Sequence, residues 1–194
     1  MKEFKSGFVA LIGRTNVGKS TLLNMLVGEK VAATANKVQT TRTAIKGIVN
    51  TENSQIVFID TPGIHKPKTK LNETMVETSF GVIKDIDVIL FMIEATSTEI
   101  GRGDQRILEK IKESGKKAIL IINKIDLIEK EKLLNLIDTY SKEYNFEAII
   151  PISALKNENT EKILDEIEKH IPEGPAYYDI EEYTDQTARQ LMEE

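Results

Sequence analysis

The segment from Gly13 to Thr21, GRTNVGKST, has the residue types and spacing of a loop that binds phosphate groups. Its two glycines would let consecutive backbone N–H groups converge on an anion. Lys19 would neutralise the β and γ phosphates, and the Ser20 hydroxyl would coordinate Mg²⁺. The alternative is a glycine-rich turn without a ligand. We expect phosphate contacts from Gly13, Arg14, Thr15, Asn16, Val17, Gly18, Lys19, Ser20 and Thr21.

A second motif, DTPG at residues 60–63, directly follows a run of apolar residues that is typical of a strand. The Asp60 carboxylate would then lie at the carboxyl end of that strand, where parallel sheets bind ligands. It could hold Mg²⁺ through water, and the Gly63 N–H could approach a γ phosphate with no side chain in the way. Alone, the four residues are also a common turn. Behind a phosphate loop, they predict nucleotide contacts from Asp60, Thr61, Pro62, Gly63 and Ile64.

A third motif, NKID at residues 123–126, could select the base of the nucleotide. The Asp126 carboxylate can accept hydrogen bonds from both N1–H and the exocyclic amine of guanine, whereas adenine presents an acceptor at that edge. Asn123 would join this loop to the phosphate loop, and the stem of Lys124 would cover a face of the base. Taken alone, the motif also suits the start of a helix. A backbone N–H for guanine O6 and a hydroxyl to brace the carboxylate would come from Ser153, Ala154 and Leu155.

Six apolar runs of strand length would position these motifs, and most are too continuously apolar to be exposed on one face. They are residues 8–13, 44–49, 55–60, 87–94, 117–123 and 147–153. The second and third runs are separated only by NTENS, a connection of hairpin length. This pair should therefore be antiparallel.

Amphipathic stretches of helix length alternate with these runs and carry apolar residues at helical spacing. They are Lys19 to Val27, Leu71 to Lys84, Gly103 to Ser114, Glu129 to Tyr144 and Thr160 to His170. Alternating strands and helices predict an α/β fold, here a three-layer sandwich. Its sheet would have six strands, mostly parallel, with one antiparallel strand at the edge.

The net charge of −5 is concentrated in the last part of the chain. Residues 171–194 carry seven acidic side chains and one basic side chain, Arg189, a net of −6 that leaves +1 for residues 1–170. Without a basic stripe, this chain should not bind RNA or DNA tightly by itself. We expect one domain over residues 1–171, then an acidic linker and the start of a truncated C-terminal domain over 172–194.

The amino-acid usage excludes several kinds of site. The chain has no cysteine and two histidines, which excludes disulfides and Cys-ligated zinc and disfavours a histidine-based metal site. The apolar run at the N-terminus is too short for a signal peptide, and no run reaches the ~18 apolar residues of a membrane span. We expect a soluble, cytoplasmic monomer.

The motifs in this order resemble the translation-factor-type P-loop GTPases over residues 8 to about 170. The stretches GRTNVGKSTLLNMLVG, NKVQTTR, DTPGIHKPK, NKID and PISAL, and the tail YYDIEEYTDQTARQLMEE, are similar to the bacterial Era family of GTPases. The resemblance implies a P-loop GTPase fold and a molecular switch that binds GTP or GDP with Mg²⁺ and hydrolyses GTP.

In the Era family an RNA-binding KH domain follows the GTPase domain and contacts small-subunit ribosomal RNA. The resemblance therefore implies a role in assembly of the small ribosomal subunit and in rRNA maturation. This chain would be the GTPase domain without the KH domain, so the small ribosomal subunit and its RNA would be partners through the absent part. Peripheral association with the inner face of the cell membrane is a further expectation.

The same resemblance assigns two switch segments. Gln39–Thr43 would be the first, where Thr41, or alternatively Thr40, would reach Mg²⁺ and the γ phosphate only in the GTP state. The alternative is an ordinary surface loop with β-branched residues that leads into a strand. Residues 64–74 would form the second switch, with His65 as a solvated loop residue. The resulting Mg²⁺ ligands are Ser20, Thr41 and Asp60, and the catalytic residues are Lys19, Thr41, Gly63 and Asn16.

Ile64 stands where Ras-like GTPases carry a glutamine that orients the attacking water. Its side chain can neither donate nor accept a hydrogen bond, so hydrolysis would be slow or would need another group. In related GTPases with a hydrophobic residue at this position, an asparagine that matches Asn16 helps to seat K⁺. Arg14 and Arg42 are rival charge donors.

Three functions remain open at this point. The first is a hydrolytic switch that cycles between GTP and GDP. The second is a guanine-nucleotide-gated binding module with negligible hydrolysis, which Ile64 keeps possible. The third is a related GTPase of tRNA modification or large-subunit assembly, which the tail disfavours.

Overall fold

Seven strands form one sheet in the computed structural model, which describes residues 3–28, 39–40, 43–59, 86–97 and 99–178. The predicted helix from Leu71 to Lys84 lies outside these ranges. The strands are β1 (Lys5–Ile12), β2 (Gln39–Thr40), β3 (Thr43–Asn50), β4 (Ser54–Ile59), β5 (Val88–Glu94), β6 (Lys117–Asn123) and β7 (Ala148–Pro151).

The strand order is β2-β3-β4-β1-β5-β6-β7. All neighbouring pairs from β4 to β7 are parallel, with Phe8 opposite Val57 and Leu90 opposite Ile119. β3 pairs antiparallel with β4 through the short hairpin, so the six predicted strands and their one antiparallel pairing are confirmed. β2 adds two residues outside β3, antiparallel to it. A ladder this short has no apolar periodicity from which it could be predicted.

Four helices among the described residues follow the predicted amphipathic stretches, and a short 3₁₀ turn that was not predicted lies after β6. They are α1 (Lys19–Val27), α2 (Arg102–Ser114), a 3₁₀ turn (Ile125–Leu127), α3 (Lys130–Glu143) and α4 (Glu161–His170). Within the described ranges, none of the helices is both long and apolar enough to cross a membrane.

Side chains of β5 alternate between two apolar cores, one on each face of the sheet. Ile89 and Phe91 belong to the core that also contains Ile107 of α2 and Tyr140 of α3. Leu90 and Met92 belong to the core beneath α1 and α4. Because successive residues of a strand point to opposite faces, a fully apolar strand requires cover on both sides. The predicted three-layer sandwich is therefore confirmed.

Residues 172–178, which we call the strap, lie against the amino ends of β1 and β4. The backbone N–H of Ser6 donates to the Pro172 carbonyl at 3.1 Å, and that of Gly174 donates to the Phe4 carbonyl at 3.0 Å. The fully buried Gln55 side chain accepts hydrogen bonds from the Tyr177 and Tyr178 N–H groups at 2.8 and 3.0 Å. This end of the sheet is opposite the carboxyl ends of β1, β5 and β6.

Candidate functional site

The phosphate loop leaves the carboxyl end of β1 and enters α1. A Cβ atom on Gly13 would lie 2.2 Å from the Met92 carbonyl oxygen, and one on Gly18 would lie 2.3 Å from Asn123 Nδ2. Gly18 also has φ of 105°, a left-handed conformation that favours glycine. The loop thus packs directly on the ends of β5 and β6, and that close approach requires glycine at both positions.

Lys19 and the start of α1 give the loop its positive character. The Lys19 ammonium donates to the carbonyl oxygens of Gly13 at 2.8 Å and Arg14 at 2.5 Å. Gly18 precedes the helix and makes no side-chain cap, and the partial positive charge at the start of α1 favours an anion there. Lys19 and the start of α1 border a cavity of about 750 Å³, a volume within the range of small-molecule sites. Its walls include Thr15, Asn16, Lys19, Ser20, Thr21, Phe58, Ile59 and Lys124.

Asn123 joins the NKID loop, residues 123–126, to the phosphate loop and to the loop at residues 153–155. Its side chain is 3% exposed. Nδ2 donates to the Val17 carbonyl at 2.8 Å, and Oδ1 accepts from the Ala154 N–H at 2.9 Å. One buried amide thereby fixes the phosphate loop, the NKID loop and the 153–155 loop relative to one another.

The Asp126 carboxyl is kept ionised, so that it can accept hydrogen bonds. The Ser153 hydroxyl donates to its Oδ1 at 2.8 Å, and this hydrogen bond lowers the pKa of the Asp126 carboxyl below its usual value. Lys156 Nζ lies 3.7 Å from Oδ2, while Leu155 is exposed. The carboxylate is therefore charged near neutral pH and can accept hydrogen bonds from two adjacent donors.

Lys124 contacts the phosphate loop as well as an acidic side chain. Its Nζ donates to the Asn16 carbonyl at 2.8 Å and to Glu94 Oε2 at 2.8 Å. Lys124 and Asn16 both have left-handed backbones, with φ of 66° and 64°. Non-glycine residues adopt this conformation rarely and mainly where the surrounding contacts impose it.

The Arg14 side chain turns away from the cavity toward α2. Its Nε donates to Asp104 Oδ1 at 3.1 Å, and its Nη2 donates to Ser97 Oγ at 3.2 Å and lies 3.6 Å from Glu94 Oε1. Asp104 is fully buried; burial raises the pKa of its carboxyl, and the Arg14 guanidinium opposes that rise. In this structure the guanidinium is thus paired with carboxylates, and Arg14 supports the loop through its carbonyl group.

Glu94, Ser97 and Asp104 were not among the predicted site residues, although the sequence holds a signal for two of them. Glu94 is a charged residue at the end of an otherwise apolar strand. Asn123, a polar residue, ends the next strand in the same way. Asp104 stands at helical spacing from Ile107, Leu108 and Ile111, on the apolar face of α2. A carboxylate on such a face must be paired when it is buried, and this predicts a basic partner.

Several predicted site residues lie outside the described ranges: Thr41, Arg42, Asp60, Thr61, Pro62, Gly63, Ile64 and His65. Of the three predicted Mg²⁺ ligands, Ser20 is the one within the described part of the chain, on the cavity wall. Mg²⁺ at phosphate sites is usually bound by few protein groups together with phosphate oxygens and water, so one hydroxyl oxygen at this place suits it. The described residues contain no group of three or more histidine or acidic side chains that could hold a metal ion by themselves.

Comparisons with known proteins extend beyond these motifs. The family described as "50S ribosome-binding GTPase" matches residues 8–124 of the chain. GTPase Era of Ruminiclostridium cellulolyticum is 51% identical over 192 residues, which is 99% of this chain and 64% of that protein. GTPase Era of Caldanaerobacter subterraneus subsp. tengcongensis is 50% identical over 191 residues, 98% of this chain and 64% of that protein. The chain spans about 64% of the length of these relatives.

Two solved structures are similar at the level of the whole described fold. Era in complex with MgGDPNP and nucleotides 1506–1542 of 16S ribosomal RNA has a TM-score of 0.76 and 43% identity, covering 91% of this chain and 60% of that one. A variant of Aquifex aeolicus Era bound to GDP·AlF₄⁻ has a TM-score of 0.73 and 41% identity, with the same coverage. Both of those proteins hold a guanine nucleotide or an analogue.

Proposed function

Because this chain belongs to the Era branch of the 50S ribosome-binding GTPase family, we propose that it binds GTP and GDP and hydrolyses GTP. The observation that carries the proposal is the Asn123 side chain, which joins the phosphate loop to the two loops expected at the base. A site that fixes these loops together can bind the phosphates and the base of one nucleotide at the same time.

Guanine selection follows from the state of Asp126. One of its oxygens already accepts the Ser153 hydroxyl, and the charged carboxylate can still accept two N–H donors from guanine. Adenine would present an acceptor to a negative charge and leave the carboxylate without donors. Sites built in this way reject such analogues by a factor of about 10⁴ or more.

Hydrolysis requires positive charge around the γ phosphate as water attacks and the bond to the β phosphate breaks. Lys19 would leave the loop carbonyls of Gly13 and Arg14 and turn to the phosphates, because phosphate oxygens carry more negative charge. Ser20, with Thr41 and Asp60, would hold Mg²⁺, which supplies charge to the phosphates when bound. The Gly63 N–H would meet the γ phosphate.

Asn16 is our proposed aid to hydrolysis where Ile64 offers no polar group. It is exposed beside the cavity, and Lys124 holds its backbone carbonyl. We propose that its side chain helps to seat K⁺ near the phosphates. Arg14 is a weaker rival because its guanidinium is already paired with Asp104 and Glu94.

The second candidate function is a binding module that responds to the bound nucleotide with negligible hydrolysis. Ile64 favours it, because this residue cannot orient water. Single-turnover hydrolysis of GTP with Mg²⁺, measured in K⁺ and in Na⁺, separates the two functions. Faster turnover in K⁺ supports the hydrolytic switch and the Asn16 proposal, equal measurable rates support the switch alone, and no turnover in either salt supports the binding module.

For the complete protein we propose a cytoplasmic role in small-subunit assembly and rRNA maturation. The support is the solved Era relative that holds 16S ribosomal RNA together with MgGDPNP. Residues 1–171 would be the GTPase domain, and the acidic residues 172–194 would lead into a further RNA-binding domain. The family description names the large subunit instead, so co-sedimentation of the complete protein with isolated 30S and 50S subunits is the test.

A further inference from the structure

Glu94, the last residue of β5, lies between two basic side chains of the candidate site. Its Oε2 accepts from Lys124 Nζ at 2.8 Å, and its Oε1 lies 3.6 Å from Arg14 Nη2. The three side chains are 27%, 32% and 35% exposed, so solvent screens them only in part. We call this pair of contacts the Glu94 bridge.

Both ends of the Glu94 bridge return to the backbone of the phosphate loop. Lys124 Nζ also donates to the Asn16 carbonyl at 2.8 Å. Arg14 is itself a loop residue, and its carbonyl accepts from Lys19 Nζ. Lys124, Glu94 and Arg14 are therefore joined to the loop backbone in one closed path. Lys19 contacts the same loop.

The arginine end of the Glu94 bridge is held by Asp104, in the first turn of α2. Asp104 is fully buried, and both of its carboxylate oxygens lie 3.1 Å from Arg14 Nε. A Cβ atom at Gly103 would lie 2.9 Å from Arg14 Cδ, so glycine leaves room for the side chain. Burying a carboxylate costs free energy unless the carboxylate is paired. This cost holds the Arg14 guanidinium beside Asp104.

We propose that Glu94 is a positioning residue that couples recognition of the base to recognition of the phosphates, with Asp104 fixing the arginine through which it acts. This inference rests on the proposed function, because it concerns the nucleotide that the site would bind. When the carboxylate is present, Lys124 and the loop backbone are ordered before the ligand arrives. Without it, nucleotide binding must order both, and the affinity falls.

The test compares E94Q with the unmodified 194-residue chain. Glutamine keeps the size of the side chain and removes its charge. We expect fluorescent GDP to dissociate about tenfold faster, as for the loss of one hydrogen bond between charged groups. The KM for GTP should rise by a similar factor with kcat within twofold, because ground state and transition state lose the same contact. E113Q is the matched control, since Glu113 pairs with Lys110 on the exposed face of α2.

A second variant separates positioning from a general effect on folding. If Glu94 acts through Arg14, the effects of E94Q and R14Q on GDP dissociation should be less than additive in the double variant. The inference is overturned if E94Q releases GDP at the unmodified rate, or if it lowers kcat and the melting temperature while KM stays constant. Failure of the unmodified chain to bind GDP would instead overturn the proposed function.

Discussion

Replacing Asn123 with alanine removes the side chain that holds three loops of the site together. The Val17 carbonyl and the Ala154 N–H would each lose a partner, and both residues are at most 6% exposed. An unpaired buried polar group costs about 1–3 kcal/mol, so the two together should cost about 2–6 kcal/mol. Domains of this kind are stable by about 5–15 kcal/mol, and the change would remove a large share of that stability.

Urea unfolding without nucleotide measures this loss directly, and the GDP dissociation rate measures its effect on the site. N123D is the informative partner variant: it keeps an acceptor for Ala154 but places a second acceptor against the Val17 carbonyl. Asn135, exposed on α3, gives the matched control N135A. If the free energy of unfolding of N123A is within about 0.5 kcal/mol of that of the unmodified chain and GDP dissociates within twofold of the unmodified rate, Asn123 does not hold the loops together.

Two further predictions concern opposite ends of the sheet. In S153A the pKa of Asp126 should rise, because the hydroxyl that stabilises the carboxylate is gone; guanine binding needs the carboxylate, so GDP affinity should fall at a higher pH than in the unmodified chain. Calorimetric titrations across mildly acidic pH check this, and superimposable profiles would contradict it. In Q55L the strap loses the amide that accepts from Tyr177 and Tyr178 and donates to the Tyr178 carbonyl, so unfolding should be easier by about 2–4 kcal/mol. Faster hydrogen exchange at the Tyr177 amide would accompany that loss, and unchanged exchange and stability would show that the strap is held elsewhere.

The fold was predictable because its signals are long and repeated. β5 and β6 are apolar runs that only a strand covered on both faces can bury, and α2 carries apolar residues at helical spacing. The NTENS hairpin predicted the antiparallel pairing of β3 with β4. β2 was not predicted because two residues show no periodicity. The packing of the strap was not predicted because its contacts are made mainly by backbone groups, which leave no pattern in the sequence.

The candidate site was predictable where a motif encodes backbone geometry and less so where a single side chain finds a distant partner. The positions of Asn123, Asp126 and Ser153 follow from strands that end at one edge of the sheet. The pairing of Arg14 with Asp104 spans 90 residues and depends on where α2 packs, which local spacing does not determine. It changes the role expected for Arg14 from a charge near the phosphates to a support for the loop.

In the proposed function, Asp126 selects guanine by accepting two hydrogen bonds from the edge of the base. Xanthine has a carbonyl oxygen where guanine has the exocyclic amine, so an asparagine at this position could donate to xanthine and could no longer accept both guanine donors. The decisive measurement is therefore the affinity of D126N for xanthosine diphosphate and for GDP. D126N should prefer xanthosine diphosphate while the unmodified chain prefers GDP; if D126N keeps the preference for GDP, Asp126 does not select the base.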